Sequence, residues 1–191
     1  RDSSTSRGLG DVYKRQKYKR LPKVLNAICS VYVSLFRGTP MVVQLLVFYY
    51  VLLPIIGVHI TGVQVAMVVF GLNSGAYISE IMRSGIQSVD SGQLEAGRAV
   101  GLSFGVTMVK IVIPQAVKNI LPTLGNEFIS LIKETSVVSF VGAADLYVAF
   151  SYIGSNSYEF MVPYLVMAMI YIVLVLSLIH ISEPTRRRGI S

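Results

Sequence analysis

The sequence predicts an all-α protein that crosses a membrane several times. Three observations carry this. More than half of the 191 residues are hydrophobic (53%) and only 14% are charged, outside the balance of soluble domains. Long apolar runs recur along the chain at lengths that suit membrane-spanning helices. Between them, Lys and Arg gather on alternate connections, the pattern of a chain threading back and forth with its basic loops inside.

Residues 1–16 have no apolar period and read as translated adapter sequence, as does the tail 178–191 ending Arg186-Arg187-Arg188-Gly189-Ile190-Ser191. Both are set aside from fold reasoning. The formal charge of +7 then falls to +3, ten basic against seven acidic residues, so basicity gives no support to a nucleic-acid role. The single cysteine, Cys29, permits no internal disulfide and is read as a small packing residue. No metal-ligand spacing is present.

Lys17, Lys19, Arg20 and Lys23 form a basic flank before the first apolar rise and start the chain on the inside. The first span is expected over about 31–58, ending near Pro54 and Gly57. Arg37, at its start, reads as an interfacial arginine with its head in water or as a contact to solute or lipid. The loop around His59 lacks Lys and Arg, consistent with the outside.

The second span is expected over 62–82. Gly71, Gly75 and Ser79 recur every four residues as a face that permits close helix approach. Asn73, Tyr77 and Glu80 make a polar stripe on the same helix. Polar residues at that depth face a bundle interior or a water path rather than lipid. They either join neighbouring helices or line a solute path.

Residues 84–118 form a polar loop. Within it Gln93, Glu95 and Arg98 cannot lie in hydrocarbon. Asp90 is expected to cap a short helix, with Gln93 closing a capping box and Gly101 supplying a left-handed stop. Ser103 is expected to cap a second helix, interrupted or ended by Pro114, so that the pair lies along the membrane surface. A helix held at both ends on an exposed loop suits docking onto another protein.

The third span is expected over 121–142 despite Glu127, Lys133 and Glu134, whose charges require partners or water. Residues 142–159 form an external connection. The last span runs over 160–177, with Pro163 in its first turn.

The chain has no phosphate-binding loop, nucleophile elbow, zinc-binding His-Glu-x-x-His or triad, so an enzyme is disfavoured and no catalytic or metal residue is assigned. What remains is a polytopic protein with a polar seam and a docking loop, which points to transport driven by a partner or by an ion gradient. Glu95-Ala96-Gly97-Arg98-Ala99-Val100-Gly101 followed by Ile111-Val112-Ile113-Pro114 resembles the E-A-A-x-x-x-G, I-x-L-P loop of ABC importer membrane subunits. Leu35-Phe36-Arg37-Gly38-Thr39-Pro40, the Leu72–Glu80 segment and the Leu124–Ser136 segment extend the likeness to the polar amino acid permease subfamily, over roughly 31–177.

The resemblance implies a type I importer transmembrane domain over 17–177, lacking the family's first span. It implies a multi-pass subunit of the bacterial cytoplasmic membrane, paired with a second membrane subunit. Two cytoplasmic ATPase subunits would hold ATP and Mg, an external solute-binding protein would deliver solute, and this chain would bind no cofactor. Gln93, Glu95, Ala96, Gly97 and Gly101 map to the coupling segment. Gly97, in place of the motif's second alanine, is expected to loosen that helix by about 1 kcal/mol. The solute path is assigned to Asn73, Tyr77, Glu80 and Lys133. Two other classes remain open here: an ion-coupled transporter using Glu80, Glu127 or Lys133, and a membrane scaffold that binds a partner through the loop.

Overall fold

The computed structural model describes residues 23–188, with side chains as far as Ile181. Expectations about residues 1–16, the basic flank before Lys23 and the last three residues lie outside the described residues. The chain divides into two compact units, at Leu35 and Phe36. The first holds most of helix α1 (Lys23–Gly38), whose Val24, Ile28, Val31 and Leu35 form an exposed apolar stripe at helical spacing. The rest of the architecture belongs to the second unit.

The stretch expected as one span over 31–58 is broken. Helix α1 stops at Gly38, and α2 (Met41–Ile55) starts after Pro40, whose extended backbone forms the N-cap. A proline disfavours helical backbone in the residue before it, here Thr39, which puts the break where it falls. Within α2, Phe48–Leu52 widens into a π-turn, closed by the Leu53 N–H on the Phe48 carbonyl. Pro54 follows at once. A proline leaves the carbonyl four residues back without its donor, and the wider turn shifts the bonding register just ahead of it.

Helix α3 (Gly62–Gln87) begins with a capping box that sequence reading passed over. The Thr61 hydroxyl accepts from the Gln64 N–H at 3.4 Å, and the Gln64 side chain accepts from the Thr61 N–H at 2.9 Å. The helix runs past the expected limit at Met82. A short helix, α4 (Ser91–Ala99), follows.

The largest departure lies in α5 (Phe104–Val141). The helix begun by Ser103 does not lie separately on the surface and does not end at Pro114; it continues for 38 residues into the expected third span. A second π-turn, Met108–Val112, absorbs Pro114 as the first absorbs Pro54. The last seven residues, Thr135–Val141, tighten into a 3-10 helix that ends on left-handed Gly142. The expected connection over 142–159 is itself mostly helix, α6 (Leu146–Ser157), capped by Asp145 on the Val148 N–H at 2.8 Å. Helix α7 (Met161–Arg188) completes the described chain.

Helices α3, α5 and α7 are long and apolar enough to cross a membrane, and α1 with α2 can supply a fourth crossing as one broken span. The four expected crossings are therefore accommodated, the first as a broken element. A small core forms where α2, α3 and the end of α5 meet: Leu45, Val65, Val69 and Val141 are almost wholly buried. By contrast Leu165, Met169, Ile172, Val173 and Leu176 of α7 are exposed. With a mean hydropathy of 2.6 over its apolar window, α7 suits lipid or another subunit, not water.

Helices α3 and α5 pack against each other, and Val112, Ala116 and Ile120, buried at a four-residue spacing, share one face of α5. A close contact between them uses Gly85, where an added Cβ would run into the Ile120 side chain. Gly85→Ala gains about 1 kcal/mol of helix propensity, but overpacking costs about 1–3 kcal/mol. The variant is expected to melt at lower temperature in detergent, and Gly85→Ala with Ile120→Ala to recover part of the loss.

Candidate functional site

The loop helix α4 has two different faces. Leu94 and Gly97, three residues apart, are buried against the chain. Gln93, Glu95, Ala96 and Arg98 are exposed. Its start departs from the expected capping box: the Asp90 carboxylate accepts from the Gly92 N–H at 2.8 Å, and Gln93 turns away. The Gln93 Oε1 instead accepts from the Gln115 side chain on α5, at 3.3 Å. The geometry reflects reach, because Asp90 is satisfied two residues on, leaving Gln93 free for a partner across the loop.

The end of α4 is a complete Schellman motif. Leu102 N–H reaches the Gly97 carbonyl at 3.1 Å and Gly101 N–H the Arg98 carbonyl at 3.0 Å. Gly101 takes the left-handed φ of +87° that this stop requires.

Gly97 has the opposite meaning to the one expected of it. A Cβ there would collide with Thr107 Cγ2 and lie 3.0 Å from its Oγ1. Thr107 is fully buried, and its hydroxyl donates to the Ser103 carbonyl at 3.0 Å. Gly97 therefore provides the close contact that seats α4 on α5, outweighing its weaker helix propensity. A further bond ties the loop's base, Asn119 Nδ2 to Ser88 Oγ at 2.8 Å. Sequence reading missed Thr107, Gln115 and Asn119, whose partners are 10 to 31 residues away; only the polar spacing of Gln115 and Asn119 hinted at a shared face.

The polar stripe of α3 meets the break between α1 and α2. Asn73 is buried, its Oδ1 3.4 Å from the Nε2 of buried Gln44. Arg37 stacks over the Tyr77 ring, 5.6 Å from its centroid, and its Nη1 lies 3.7 Å from Glu80 Oε1. Glu80 also accepts from Arg83 Nε at 3.0 Å. Three of the residues expected on the solute path are thus brought together, each with a partner in the chain. Arg37 is more than an interfacial cation. The small-residue stripe Gly71, Gly75 and Ser79 is exposed, on another side of α3.

Lys133 is not part of this group. It lines an open, mostly apolar groove with Ser136, Tyr171, Ile172, Val175 and Leu176. No ion pair joins it to the described residues. His59 lines a separate open cleft with Tyr49, Tyr50, Thr61 and Gln64.

Apolar helices long enough to cross a membrane, joined by one seated loop helix with an exposed polar face, define a multi-pass membrane protein. The family described as binding-protein-dependent transport system inner membrane component matches residues 18–183. The arginine transport system permease protein ArtQ of Bacillus subtilis is 40% identical over 161 residues, covering 84% of this chain and 74% of that protein. The L-cystine transport system permease protein TcyB of the same organism is 42% identical over 172 residues, 88% of this chain and 73% of that one. A putative glutamine transport system permease protein GlnP of Rickettsia bellii is 39% identical over 166 residues, 87% and 76% of the two chains.

Among solved structures, an amino acid ABC transporter with histidines superposes with a TM-score of 0.82 at 40% identity, over 89% of this chain and 79% of that one. The MetNI methionine ABC transporter shares the fold, with a TM-score of 0.68 at 20% identity, over 90% and 76%. The chain belongs to the binding-protein-dependent transport system inner membrane component family, as an ABC transporter permease subunit. It has the type I importer fold.

The seating of α4 can be tested directly. Gly97→Ala is expected to speed amide hydrogen exchange across residues 91–102 by roughly tenfold, because overpacking of about 1–3 kcal/mol exceeds the propensity gain. Adding Thr107→Ser removes the colliding methyl and should return exchange to near the parent rate.

Proposed function

We propose that this permease subunit carries polar amino acids into the bacterial cell by alternating access. It works as one of a pair of membrane subunits in the cytoplasmic membrane, with two ATP-binding subunits on the inner side and a solute-binding protein outside. ATP and Mg belong to the partner subunits. The observation that carries this reading is the 40% identity to an arginine permease protein over 84% of the chain, together with similar identity to proteins named for glutamine and cystine transport. Those three solutes differ in side chain and share the α-ammonium and α-carboxylate groups.

In this reading the exposed face of α4 meets the ATP-binding subunit. Glu95 supplies a charged contact and Ala96 a small surface for close packing, with Gln93 at the edge. Gly97 and Gly101 act from behind, one by seating the helix and the other by ending it. Lys133 faces the solute: its charge is not balanced by the described residues, and an α-carboxylate is a suitable counter-charge. Asn73, Tyr77 and Glu80 bound the path from α3. Their partners Gln44 and Arg37 hold them in place, so they shape the path, and Lys133, in a groove apart from them, is a separate candidate contact to solute.

The two assignments separate in an assembled transporter in proteoliposomes. Glu95→Arg is expected to weaken retention of the ATP-binding subunit and to cut solute-stimulated ATP hydrolysis at least about tenfold, since a buried like or unpaired charge costs several kcal/mol. Lys133→Gln should leave subunit retention intact and raise the KM for solute by roughly tenfold or more, the worth of a charge-assisted hydrogen bond. Unchanged behaviour in either variant removes that residue from its role.

A further inference from the structure

The break between α1 and α2 is a place where backbone carbonyls are left without helical donors, and in a membrane such groups need a partner within the protein. A buried side chain contributes one. Gln44, 4% exposed, directs its Nε2 to the Phe36 carbonyl at 2.8 Å and the Thr39 carbonyl at 2.9 Å. The same nitrogen lies 3.0 Å from Thr39 Oγ1 and 3.4 Å from Asn73 Oδ1. An amide has two N–H donors; the carbonyls of the break are its nearest acceptors, and Asn73 of α3 takes the longest of the four contacts. Among the described residues no donor reaches its Oε1.

Arg37, on the other side of the same break, reaches Tyr77 and Glu80 of α3. Two ties therefore flank Pro40 and land on one face of α3, at positions 73, 77 and 80. From Asn73, α3 continues unbroken to Gln87, about 21 Å of helix at 1.5 Å per residue, and α4 follows four residues later.

We propose that Gln44 is a positioning residue for transport, pinning the break in the first apolar stretch to α3 so that displacement of α4 by a partner is carried along α3 to that break. The inference rests on the reading of α4 as the face that meets the ATP-binding subunit. Arg37 and Glu80 provide the second pin. The lever is the helix, and the pins transmit its movement to the broken element.

The test uses the complete transporter in proteoliposomes, comparing the parent with Gln44→Leu and Asn73→Ser. Gln44→Leu removes the donor at similar volume; Asn73→Ser removes the acceptor across the gap and leaves the bonds from Gln44 to Phe36 and Thr39 in place. Three quantities are read: retention of the ATP-binding subunit, amino acid moved per ATP hydrolysed, and amide hydrogen exchange over residues 36–45. Both variants should retain the subunit, and Gln44→Leu should keep basal hydrolysis and solute KM; the amount moved per ATP is read at saturating solute, so that a change of KM at Asn73 does not enter it. Both should lower the amount moved per ATP by roughly five- to tenfold, within the range of coupling mutations. Gln44→Leu should also speed exchange over 36–45.

Should Gln44→Leu fail to assemble, Asn73→Ser decides alone. An unchanged ratio of solute to ATP in Asn73→Ser overturns the transmission proposal, and unchanged exchange in an assembled Gln44→Leu overturns the pinning. A parent complex that hydrolyses ATP without moving any amino acid refutes the substrate reading instead, and the exchange measurement then still judges the pin.

Discussion

A bilayer offers no hydrogen bonds to an interrupted helix, and the arrangement of this chain follows from how its interruptions are satisfied. The break at Thr39 and Pro40 is served by the Gln44 amide, which brings α2 and α3 into fixed register through Asn73. Around that contact lies the small core of Leu45, Val65, Val69 and Val141. Pro54 and Pro114 are handled differently, each by a π-turn just ahead of it, so the helix continues in both cases. Three prolines thus give one true break and two adjusted helices, and the difference is whether the backbone can find its next donor within the same helix.

Helix α4 shows how a short element is held rigid. Nine residues would be marginal as a free helix in water. This one is fixed by the Asp90 cap, by a Schellman stop at Gly101, and by Leu94 and Gly97 pressed against α5. Leu94 and Gly97 hold it on one side, and Gln93 bonds to Gln115 at the edge, leaving Glu95 and Ala96 on the other. Its supports, α3 and α5, are themselves in contact through Gly85 and Ile120.

Much of this was legible in one dimension. Hydropathy marked the apolar runs, and the position of the loop helix followed from charges that lipid would reject. The glycine stop at Gly101 was readable because a left-handed turn has a residue preference. Its family resemblance was readable because the loop's residue types and spacing are specific, and the family match over 18–183 agrees with it. The departures have a common cause. The proline at 114 was expected to interrupt or end a helix, and the 142–159 connection was expected to be only a connection, because local propensity was judged without the register shift and packing that rescue helical structure.

By itself, then, the sequence determined the class of protein, the all-α character, the approximate crossings and the exposed loop, since each depends on composition and short-range spacing. Only the tertiary structure decided what individual side chains do. Gly97 is a contact with Thr107, Asn73 is a partner of Gln44 29 residues away, and Arg37 belongs to Tyr77 and Glu80. Those pairings are long-range, and spacing along one helix specifies a face without specifying what lies opposite it.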